Sequence, residues 1–426
     1  MSESRTQAVF SDTDRTGLLD GNTLRLLRRA LAYSRRQDYT GWDYGDGMSS
    51  RLLRALPVEN TYLNLAVQEV VKRSPVEVRP FLMVERRRNY MGAALFAMAI
   101  RNYGSLNGEV EAVDRFHDIA DPESETRSLL EWLLSNQCPG CSGFCGGHRH
   151  DLQHLNGRVG KPSDPDLVST SYAVRALLAN ADLDDRYPET ARTATAFVEQ
   201  DLDYRTVPDG AVVNYHLNHD PDVYTINAGA LGARLFLDLY DHFGTPVYRE
   251  RAAALLDHVA GLQTDRGGWH YRDPPSSSHL SMDSHHNGFV IEGFQRYDEV
   301  VDDDRYAETI ADGMAFYRSL FDSDGAPDFD ESSPYPRDIH AATQGILVFT
   351  YAGEFERARR LIGWIVDNLY AGDGRFYFRK HRLYTQRITL MRWCQAWTAY
   401  ALSEYLRIST TAPDRRRQVP TSGRTR

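Results

Sequence analysis

The chain has 426 residues, of which 42% are hydrophobic and 25% are charged, and both values are ordinary for a globular protein. Its formal net charge of −10 argues against nucleic-acid binding, because neutralising phosphates needs a basic surface. No apolar run reaches the ~18 residues that span a bilayer, and residues 1–17 lack the basic flank and apolar stretch of a signal peptide, so a cytoplasmic location is expected.

Lysine is rare in this chain, which contains 3 lysines against 46 arginines and 39 aspartates against 20 glutamates. Such a composition is typical of a protein kept soluble at high salt, or of a GC-rich genome that favours arginine codons. It describes the host and says little about a reaction.

Taken in chain order, residues 1–20 are interpreted as a flexible N-terminus. A helical pattern follows, with Leu24, Leu27 and Leu31 on one face, and it leads into a loop at residues 39–47 that is rich in glycine and aromatic residues. The same helical spacing recurs in three later stretches, near residues 60–72, 89–103 and 124–136.

A polar loop without periodicity then runs from Cys138 to Asp166, and loops of this length are often lids or binding walls. It holds three of the four cysteines and three histidines: Cys138, Cys141, Cys145, His148, His150 and His154. Thiolate and imidazole ligands at this spacing could hold zinc, but a second paired half is missing. Reduced cysteines in a glycine-rich loop are the favoured interpretation, and disulfides are not expected in the cytoplasm.

The second half of the chain repeats itself. Four turns built on Asp and Gly each lead into an aromatic segment, at Asp209-Gly210, Asp265 to Gly268, Asp324-Gly325 and Asp373-Gly374. A polar residue opens a helix soon after each turn, and these residues (Asn227, Asp283, Asp338 and Arg392) are 56, 55 and 54 apart. Such a period predicts stacked helix pairs.

We therefore predict an all-α fold, an (α/α)6 toroid of helical hairpins with short β-turn segments. A single catalytic domain is expected over residues 21–407, because no shift in composition marks a boundary within it. Residues 408–426 are expected to form a disordered basic tail, whose alternative role is a peripheral contact with a membrane. Equivalent helix ends of a toroid gather at one mouth, so the helix openings become the candidate site.

The helix opening with the most candidate catalytic residues spans residues 283–289. Asp283 alone suits a helix cap, but His285 and His286 beside it make a proton-transfer set that packing does not require. His286 is favoured as the histidine that faces the cavity. Trp269, which precedes this opening, is a candidate for substrate binding.

The neighbouring repeats supply further candidates. Asp338 is again a cap or a functional carboxylate, and His340 follows it at a position equivalent to the earlier histidines. Arg392 beside Trp393 suits a sugar carboxylate, because guanidinium forms a bidentate fork and indole stacks on a sugar ring. The other candidates in these repeats are Tyr215, His216, Asn227, Tyr335, Gln344, Tyr384, Gln395 and Trp397.

Four motifs carry a resemblance to a known family: D-S-H-H-N-G-F from 283, Y-P-R-D-I-H-A-A-T-Q from 335, F-Y-F-R-K from 376 and M-R-W-C-Q-A-W from 391. They resemble motifs of prokaryotic polysaccharide and N-glycan assembly proteins that are similar to uronyl C5-epimerase catalytic domains, sugar 2-epimerases and unsaturated-glucuronyl hydrolases. The resemblance covers most of residues 38–407. It implies site residues at Asp283, His286, Asp338, His340, Gln344, Arg392, Trp393 and Gln395.

The same resemblance implies a haloarchaeal protein of N-glycan assembly, in keeping with the Asp-rich composition. Cys145 fits the family pattern, whereas Cys138 and Cys141 depart from it, which weakens the zinc interpretation. Neither a metal nor another cofactor is expected. The expected partner is a uronate-containing oligosaccharide, either free or lipid-linked.

The activity that these residues suit best is C5 epimerisation of a glucuronyl unit. His286 and His340 are assigned as the acid/base pair, Arg392 as the carboxylate ligand, and Asp283 and Asp338 as orienting groups. Trp393 is assigned as a stacking surface, and Tyr215, Tyr335 and Tyr384 are substitutes in the proton roles.

Three alternatives stay open. The first is a hydrolase or lyase on the same fold, with Asp283 and Asp338 as paired carboxylates. The second is a non-catalytic glycan-binding factor with a shallow groove lined by Trp269, Trp393 and Trp397. The third, a terpene cyclase, is disfavoured because the predicted mouth is ringed by His, Arg and Asn.

Overall fold

The structure is a computed structural model that describes residues 12–57, 60–106, 121–153, 158–217 and 219–411. The described residues form fourteen α-helices: α1 Asp12–Arg36, α2 Arg51–Arg54, α3 Thr61–Arg73, α4 Tyr90–Leu106, α5 Pro122–Ser135, α6 Leu167–Leu178, α7 Arg186–Ala196, α8 Ile226–Phe243, α9 Pro246–Gly261, α10 Ser284–Val300, α11 Ala307–Arg318, α12 Ile339–Tyr351, α13 Phe355–Asn368 and α14 Trp397–Thr411. A π-helical turn, Met391–Ala396, leads into α14.

Six of these helices form a closed inner ring. Helices α4, α6, α8, α10, α12 and α14 each contact the next in this order, and α14 returns to α4. Outer helices α5, α7, α9, α11 and α13 pack on the inner helix that precedes them, and α1 packs on α14. The fold is therefore an (α/α)6 toroid, which confirms the prediction from the repeats.

The sequence of each helix explains its layer. Inner helix α12 has twelve of its thirteen residues buried, since it touches neighbours on every side. Outer helix α13 buries Ala358, Leu361, Ile362 and Ile365, which form one stripe at helical spacing. Inner helix α12 is thus buried on nearly all sides, whereas outer helix α13 is buried along one apolar face.

The Asp-Gly turns pack each helical hairpin against the outer helix of the next one. Their glycines have positive φ angles, and a β-carbon on any of them would meet the backbone of the next outer helix. The pairs are Gly210 with Ala254, Gly267 with Asp312, Gly325 with Arg360, and Gly374 with Arg29. Because Arg29 belongs to α1, the last turn closes the ring onto the first helix.

Short antiparallel strands join the loops at the inner-helix openings. They are β1 Thr40–Gly41 with β2 Arg87–Arg88, β3 Leu152–Gln153 with β4 Val159–Gly160, β5 Arg205–Val207 with β6 Gly210–Val212, β7 Tyr224–Thr225 with β8 Arg272–Asp273, and β9 Arg337–Asp338 with β10 Arg379–Lys380 and then β11 Thr385–Gln386. The last sheet brings the opening of α12 beside the hairpin of β10 and β11.

The helical region extends past both predicted limits, since α1 begins at Asp12 and α14 ends at Thr411. The predictions of a basic tail at residues 408–426 and of a flexible N-terminus at residues 1–20 both fall mostly outside the described residues. Helices α3, α4 and α5 correspond to the three stretches predicted near residues 60–72, 89–103 and 124–136. No helix in the described part of the chain is long and apolar enough to cross a membrane.

Candidate active site

The first residues of the inner helices meet at one end of the ring, which we call the mouth. The inner helices run in the same direction because each is joined to the next through an outer helix. Four of them begin on a polar cap that accepts a bond from the first turn: Asn89, Asp166, Asp283 and Asp338. Their positive dipole ends converge here and favour a negatively charged ligand.

Asp283 is fully buried and binds two histidines at once. Its Oδ2 lies 2.7 Å from Nδ1 of His286, and its Oδ1 lies 3.0 Å from Nδ1 of His285. Burial raises the pKa of the Asp283 carboxyl, but His286 and His285 outweigh this and hold the pKa at about 2. Asp283 is therefore an anion that orients both imidazoles, in addition to capping α10.

His340 lies next to this group in a buried aromatic setting. Its ring centroid is 5.0 Å from that of His285, 4.6 Å from Trp393 and 4.5 Å from Trp397. Burial, with the positive charge of neighbouring groups, lowers the pKa of His340 well below its ordinary value. Neither ring nitrogen has a hydrogen-bond partner among the described residues.

Asp338 has its hydrogen-bonding capacity used by fixed neighbours. Nε of Arg379 donates to it at 2.6 Å, Nε1 of Trp393 at 2.9 Å and the backbone N of His340 at 2.8 Å. The carboxylate thus joins the opening of α12 to β10 and to the π turn before α14. Its role as an orienting group remains a prediction.

Arg392 lies in a buried polar cluster whose other members are not predicted from the sequence. Its Nε donates to Oδ2 of Asp43 at 2.8 Å, and Asn89 donates to the same oxygen at 2.7 Å. Burial raises the pKa of Asp43, but the charges of Arg392 and His150 have the larger combined effect, so the pKa lies below its ordinary value. The terminal nitrogens of Arg392 make no hydrogen bond within the described residues.

A second set of titratable side chains enters from the 138–166 loop. Nδ1 of His148 lies 3.5 Å from Oδ2 of Asp166, and the rings of His148 and His150 stack at 5.8 Å. Burial lowers the pKa of His150 to about 4. Sequence reasoning named these histidines as zinc candidates, whereas the structure brings them to Asp43 and Asp166 at the mouth.

The thiols of this loop form no cluster of three metal-type ligands with His148 and His150 among the described residues, and His154 falls outside those residues. Cys138 and Cys145 are buried, and all four cysteines of the chain are free thiols. Hydrogen bonding with Cys138 and burial raise the pKa of Cys145. In the described ranges, the one set of three metal-type ligands within 4.8 Å of one another is Asp283, His285 and His286. These three already bond to each other, so their geometry is explained without an ion.

An aromatic wall completes the mouth. The rings of Tyr44 and Trp393 stack at 4.9 Å with an interplanar angle of 23°, and Trp393 meets His285 edge-on at 5.8 Å. Tyr271 covers the ring of His286 at 4.2 Å. Tyr44 lies in the glycine-rich loop at residues 39–47, for which the sequence pattern predicts no function.

Several predicted substrate-binding residues have structural partners instead. Trp269 is 1% exposed and donates to the backbone of Val259, while Trp397 is fully buried. Gln395 bonds to the backbone of Phe376 and Gly374, and Gln344 donates to Glu292. A shallow groove lined by Trp269, Trp393 and Trp397 is therefore not present.

The remaining candidates differ in position. Burial raises the pKa of Tyr215 well above its ordinary value, and the nearby Asp166 and Tyr271 raise it further. His216 meets the Tyr215 ring edge-on at 4.6 Å, and buried Asn227 has no partner for its amide among the described residues. Tyr335 lies under the Arg337 guanidinium at 5.3 Å, whereas Tyr384 is 45% exposed on the hairpin of β10 and β11.

Solved structures with this fold include carbohydrate-processing enzymes. A GH76 α-mannanase of Bacteroides thetaiotaomicron has a TM-score of 0.55 at 14% identity, over 75% of this chain and 86% of that chain. A sugar epimerase from a ruminal bacterium has a TM-score of 0.56 at 14% identity, over 76% and 88%. A cellobiose 2-epimerase of Bacillus thermoamylovorans has a TM-score of 0.57 at 11% identity, over 75% and 87%.

At these identities the likeness shows the shared fold alone. The sequence matches no family model and no curated protein. The chemistry of the mouth must therefore be argued from its own residues.

Proposed function

We propose that the protein is a carbohydrate-processing enzyme that epimerises C5 of a uronosyl residue by removing and returning a proton. The observation that carries this proposal is the Asp283–His286 pair at the mouth, with 2.7 Å between Oδ2 and Nδ1. The folds shared with a sugar epimerase and a cellobiose 2-epimerase support a sugar substrate. The substrate would be a uronate-containing oligosaccharide, either free or lipid-linked.

His286 acts as the base in this proposal. When Nδ1 donates its hydrogen to Asp283, Nε2 carries the lone pair and can accept the C5 proton. Buried, ionised Asp283 then stabilises the imidazolium that forms. Packing against Tyr271 keeps the ring in one orientation.

Arg392 binds the substrate carboxylate. Its Nε is held by Asp43, and its terminal nitrogens remain available for a carboxylate. Loss of the C5 proton places negative charge on that carboxylate, so a guanidinium and converging helix N-termini stabilise the intermediate. Trp393 and Tyr44 provide a flat surface beside the sugar ring.

The acid that returns the proton on the other face is assigned to Tyr215. Burial and nearby Asp166 raise the pKa of Tyr215, so its phenol keeps its proton at neutral pH. The sequence analysis assigns His340 to this step, but its lowered pKa keeps it as neutral imidazole, which is a far weaker acid than imidazolium. Its two unpartnered nitrogens suit hydrogen bonds to substrate hydroxyls instead.

Elimination shares the first step, because removing the C5 proton of a uronate also permits cleavage of the C4–O4 bond, with O4 and its substituent as the leaving group and a C4–C5 double bond in the product. Hydrolysis by Asp283 and Asp338 is less well supported. It needs one protonated carboxyl group, yet the pKa of Asp283 is held at about 2 and Asp338 accepts bonds from three donors.

The test is incubation of the full-length protein with uronate-containing oligosaccharides in deuterated water, followed by NMR and mass spectrometry. Deuterium at C5 in an intact chain, lost in the H286A variant, is the expected result. An unsaturated product would indicate elimination, and a new reducing end would indicate hydrolysis. Equal deuterium uptake by the parent, H286A and H340A would contradict the assignment.

A further inference from the structure

Exposed large hydrophobic side chains are concentrated on two segments near the mouth. The described residues contain eleven of them, and nine lie within residues 51–88 or 379–387: Leu52, Leu56, Tyr62, Val70, Val76, Phe81, Met83, Leu383 and Tyr384. Phe81, Tyr62 and Leu383 are 81%, 82% and 92% exposed. Apolar exposure of this kind, concentrated in so few residues, indicates an interaction surface.

The two segments form one connected surface, which we call the basic apolar face. Nε2 of Gln386 donates to the carbonyl oxygens of Lys72 and Ser74 at 2.8 and 2.7 Å, so the hairpin of β10 and β11 is tied to the end of α3. The backbone N of Arg51 donates to the carbonyl of Met83 at 3.1 Å, which joins α2 to the turn before β2.

Charge on this face is opposite to that of the whole protein. Residues 51–88 contain eight basic and four acidic side chains, and residues 379–387 contain four basic and no acidic ones. The two segments together sum to a formal charge of +8 on a chain whose net charge is −10. Three of these arginines, Arg79, Arg88 and Arg379, pair with acidic residues outside the segments, and the other groups still leave the face positive. In the hairpin of β10 and β11, Arg379 pairs with Asp338, whereas no ion pair in the described part of the chain involves Arg382 or Arg387.

A small cavity beside the two segments has a lining that is also positively charged. It has a volume of about 110 Å³, and its lining includes Arg86, Arg375 and Arg387 against a single acidic residue, Glu77. Anionic groups are the chemistry that such a lining accepts.

The face also borders the candidate site. Nζ of Lys72, in α3, lies 5.0 Å from the ring centroid of Tyr44, and Tyr44 stacks on Trp393. Arg379, at the base of the hairpin, donates to Asp338. A ligand held on this face would therefore have its polar end at the mouth.

We propose that the basic apolar face binds the surface of an anionic lipid bilayer. Apolar tips beside arginines match the acyl boundary and the negative headgroups of such a surface. A second copy of the chain fits less well, since a symmetric contact would bring two strongly positive faces together. If the proposed function also holds, a lipid-linked glycan would reach the mouth from the membrane on which the protein sits.

The test measures co-sedimentation of the full-length protein with vesicles of phosphatidylcholine and phosphatidylglycerol, and with vesicles of phosphatidylcholine alone. Binding to the anionic vesicles is expected, and it should weaken as salt rises. The double variants F81S/L383S and R73E/R382E should each weaken it by about tenfold or more, because they remove an apolar anchor pair or reverse two charges.

The matched control is V247S/V366S, which changes the two exposed apolar residues outside the face, at 37% and 40% exposure. It should bind vesicles as the parent does. Equal binding by all variants, absence of binding to anionic vesicles, or a stable dimer that F81S/L383S dissolves would each overturn the proposal. Activity on a water-soluble oligosaccharide should be unchanged in F81S/L383S, so failure of the membrane proposal and failure of the enzyme proposal give different results.

Discussion

The two ends of the inner ring both bury polar side chains, but the hydrogen bonding of these side chains differs between the ends. At the end opposite the mouth, every inner helix contributes to a belt of mutually bonded groups: Asn102, Arg175, Arg234, Glu292, Tyr351 and Glu404. At the mouth, His340 and Asn227 have unpartnered polar atoms, and the terminal nitrogens of Arg392 are unbonded in the described residues. In the belt, Nη1 of Arg175 and Nε of Arg234 also lack a hydrogen bond among the described residues, but both side chains keep others, whereas His340 and Asn227 have none on either polar atom. Buried side chains left without any partner are costly, so these two indicate a ligand.

The comparison also shows that a cavity alone does not identify the functional end. A cavity of about 360 Å³ opens beside the belt and is lined by Arg175, Tyr400 and Glu404 among others. Its charged groups are paired with one another. The mouth differs because two of its side chains, His340 and Asn227, have no partner for any of their polar atoms among the described residues.

The largest expected effect comes from His286. Replacing it with alanine should lower the turnover rate by about 10²–10⁴, the usual contribution of a general base, while the fold is retained. Deuterium incorporation at C5 measures the loss. If the rate of H286A falls by less than about threefold, His286 is not the base.

The chain offers a matched control for this substitution. His258, on outer helix α9, and Asp209 form a second pair with 3.0 Å between Nδ1 and Oδ2. H258A removes a similar Asp–His contact and should leave deuterium incorporation unchanged. An equal loss in both variants would show that the effect is structural.

Glu292 tests the opposite end of the comparison. It is 1% exposed and accepts bonds from Arg234 and Gln344, so E292A leaves buried cations without their partner. The free energy of unfolding should fall by about 3–5 kcal/mol, the range measured for breaking buried pairs. Chemical denaturation gives this value, and the rate per folded molecule should be preserved.

The control on the same helix is E299A. Glu299 is 67% exposed and pairs with Arg296, so its loss should change the unfolding free energy by less than about 1 kcal/mol. If E292A abolished turnover in protein that is still folded, the belt would belong to the site and the contrast between the ends would be wrong.

His150 provides a test of the mouth that does not depend on activity. Its folded pKa of about 4 is below the ordinary histidine value, so the unfolded chain binds a proton that the folded chain refuses. Stability should therefore decline as the pH falls from about 6.5 towards 4, by up to about 3 kcal/mol from this group. Urea unfolding at several pH values measures the slope.

In H150N this part of the pH dependence should disappear, giving a shallower slope than in the parent. The control H242N removes an exposed histidine on α8 and should keep the parental slope. A parental slope in H150N would show that His150 is protonated in the folded protein.

Much of the fold could be predicted from the sequence, because the Asp-Gly turns and helix openings repeat with a regular period. Turn glycines such as Gly325 and Gly374 pack against the backbone of the next outer helix, so the repeat reflects a physical requirement. The start of α1 at Asp12 was not predicted, since its early residues lack a clear apolar stripe.

The candidate site was predicted only where it follows the repeat. Asp283, His286, His340 and Arg392 open successive helices, and the structure brings them to one mouth. Asp43, His148 and Asp166 were not assigned there, because they belong to loops whose path the sequence does not fix. Trp269 and Trp397 look like sugar-stacking residues in the sequence, yet a tryptophan in a helical repeat also serves as packing volume.

The smallest expected effect concerns Trp393, which distinguishes stacking from hydrogen bonding at the mouth. W393F keeps an aromatic ring beside Tyr44 but removes the donor to Asp338, so one of the three side-chain and backbone bonds to that carboxylate is lost. Arg379 and the backbone N of His340 still hold Asp338, so a loss of about 1 kcal/mol is expected, seen as a fewfold change in KM or rate.

W393A separates the two contributions, because it removes the ring as well. If Trp393 stacks on the sugar, W393A should raise KM by about tenfold more than W393F does, since base or sugar stacking on an aromatic face contributes roughly 1–3 kcal/mol. Equal KM values in the two variants would mean that the ring is packing material for Tyr44 and His340, and that the sugar lies elsewhere in the mouth.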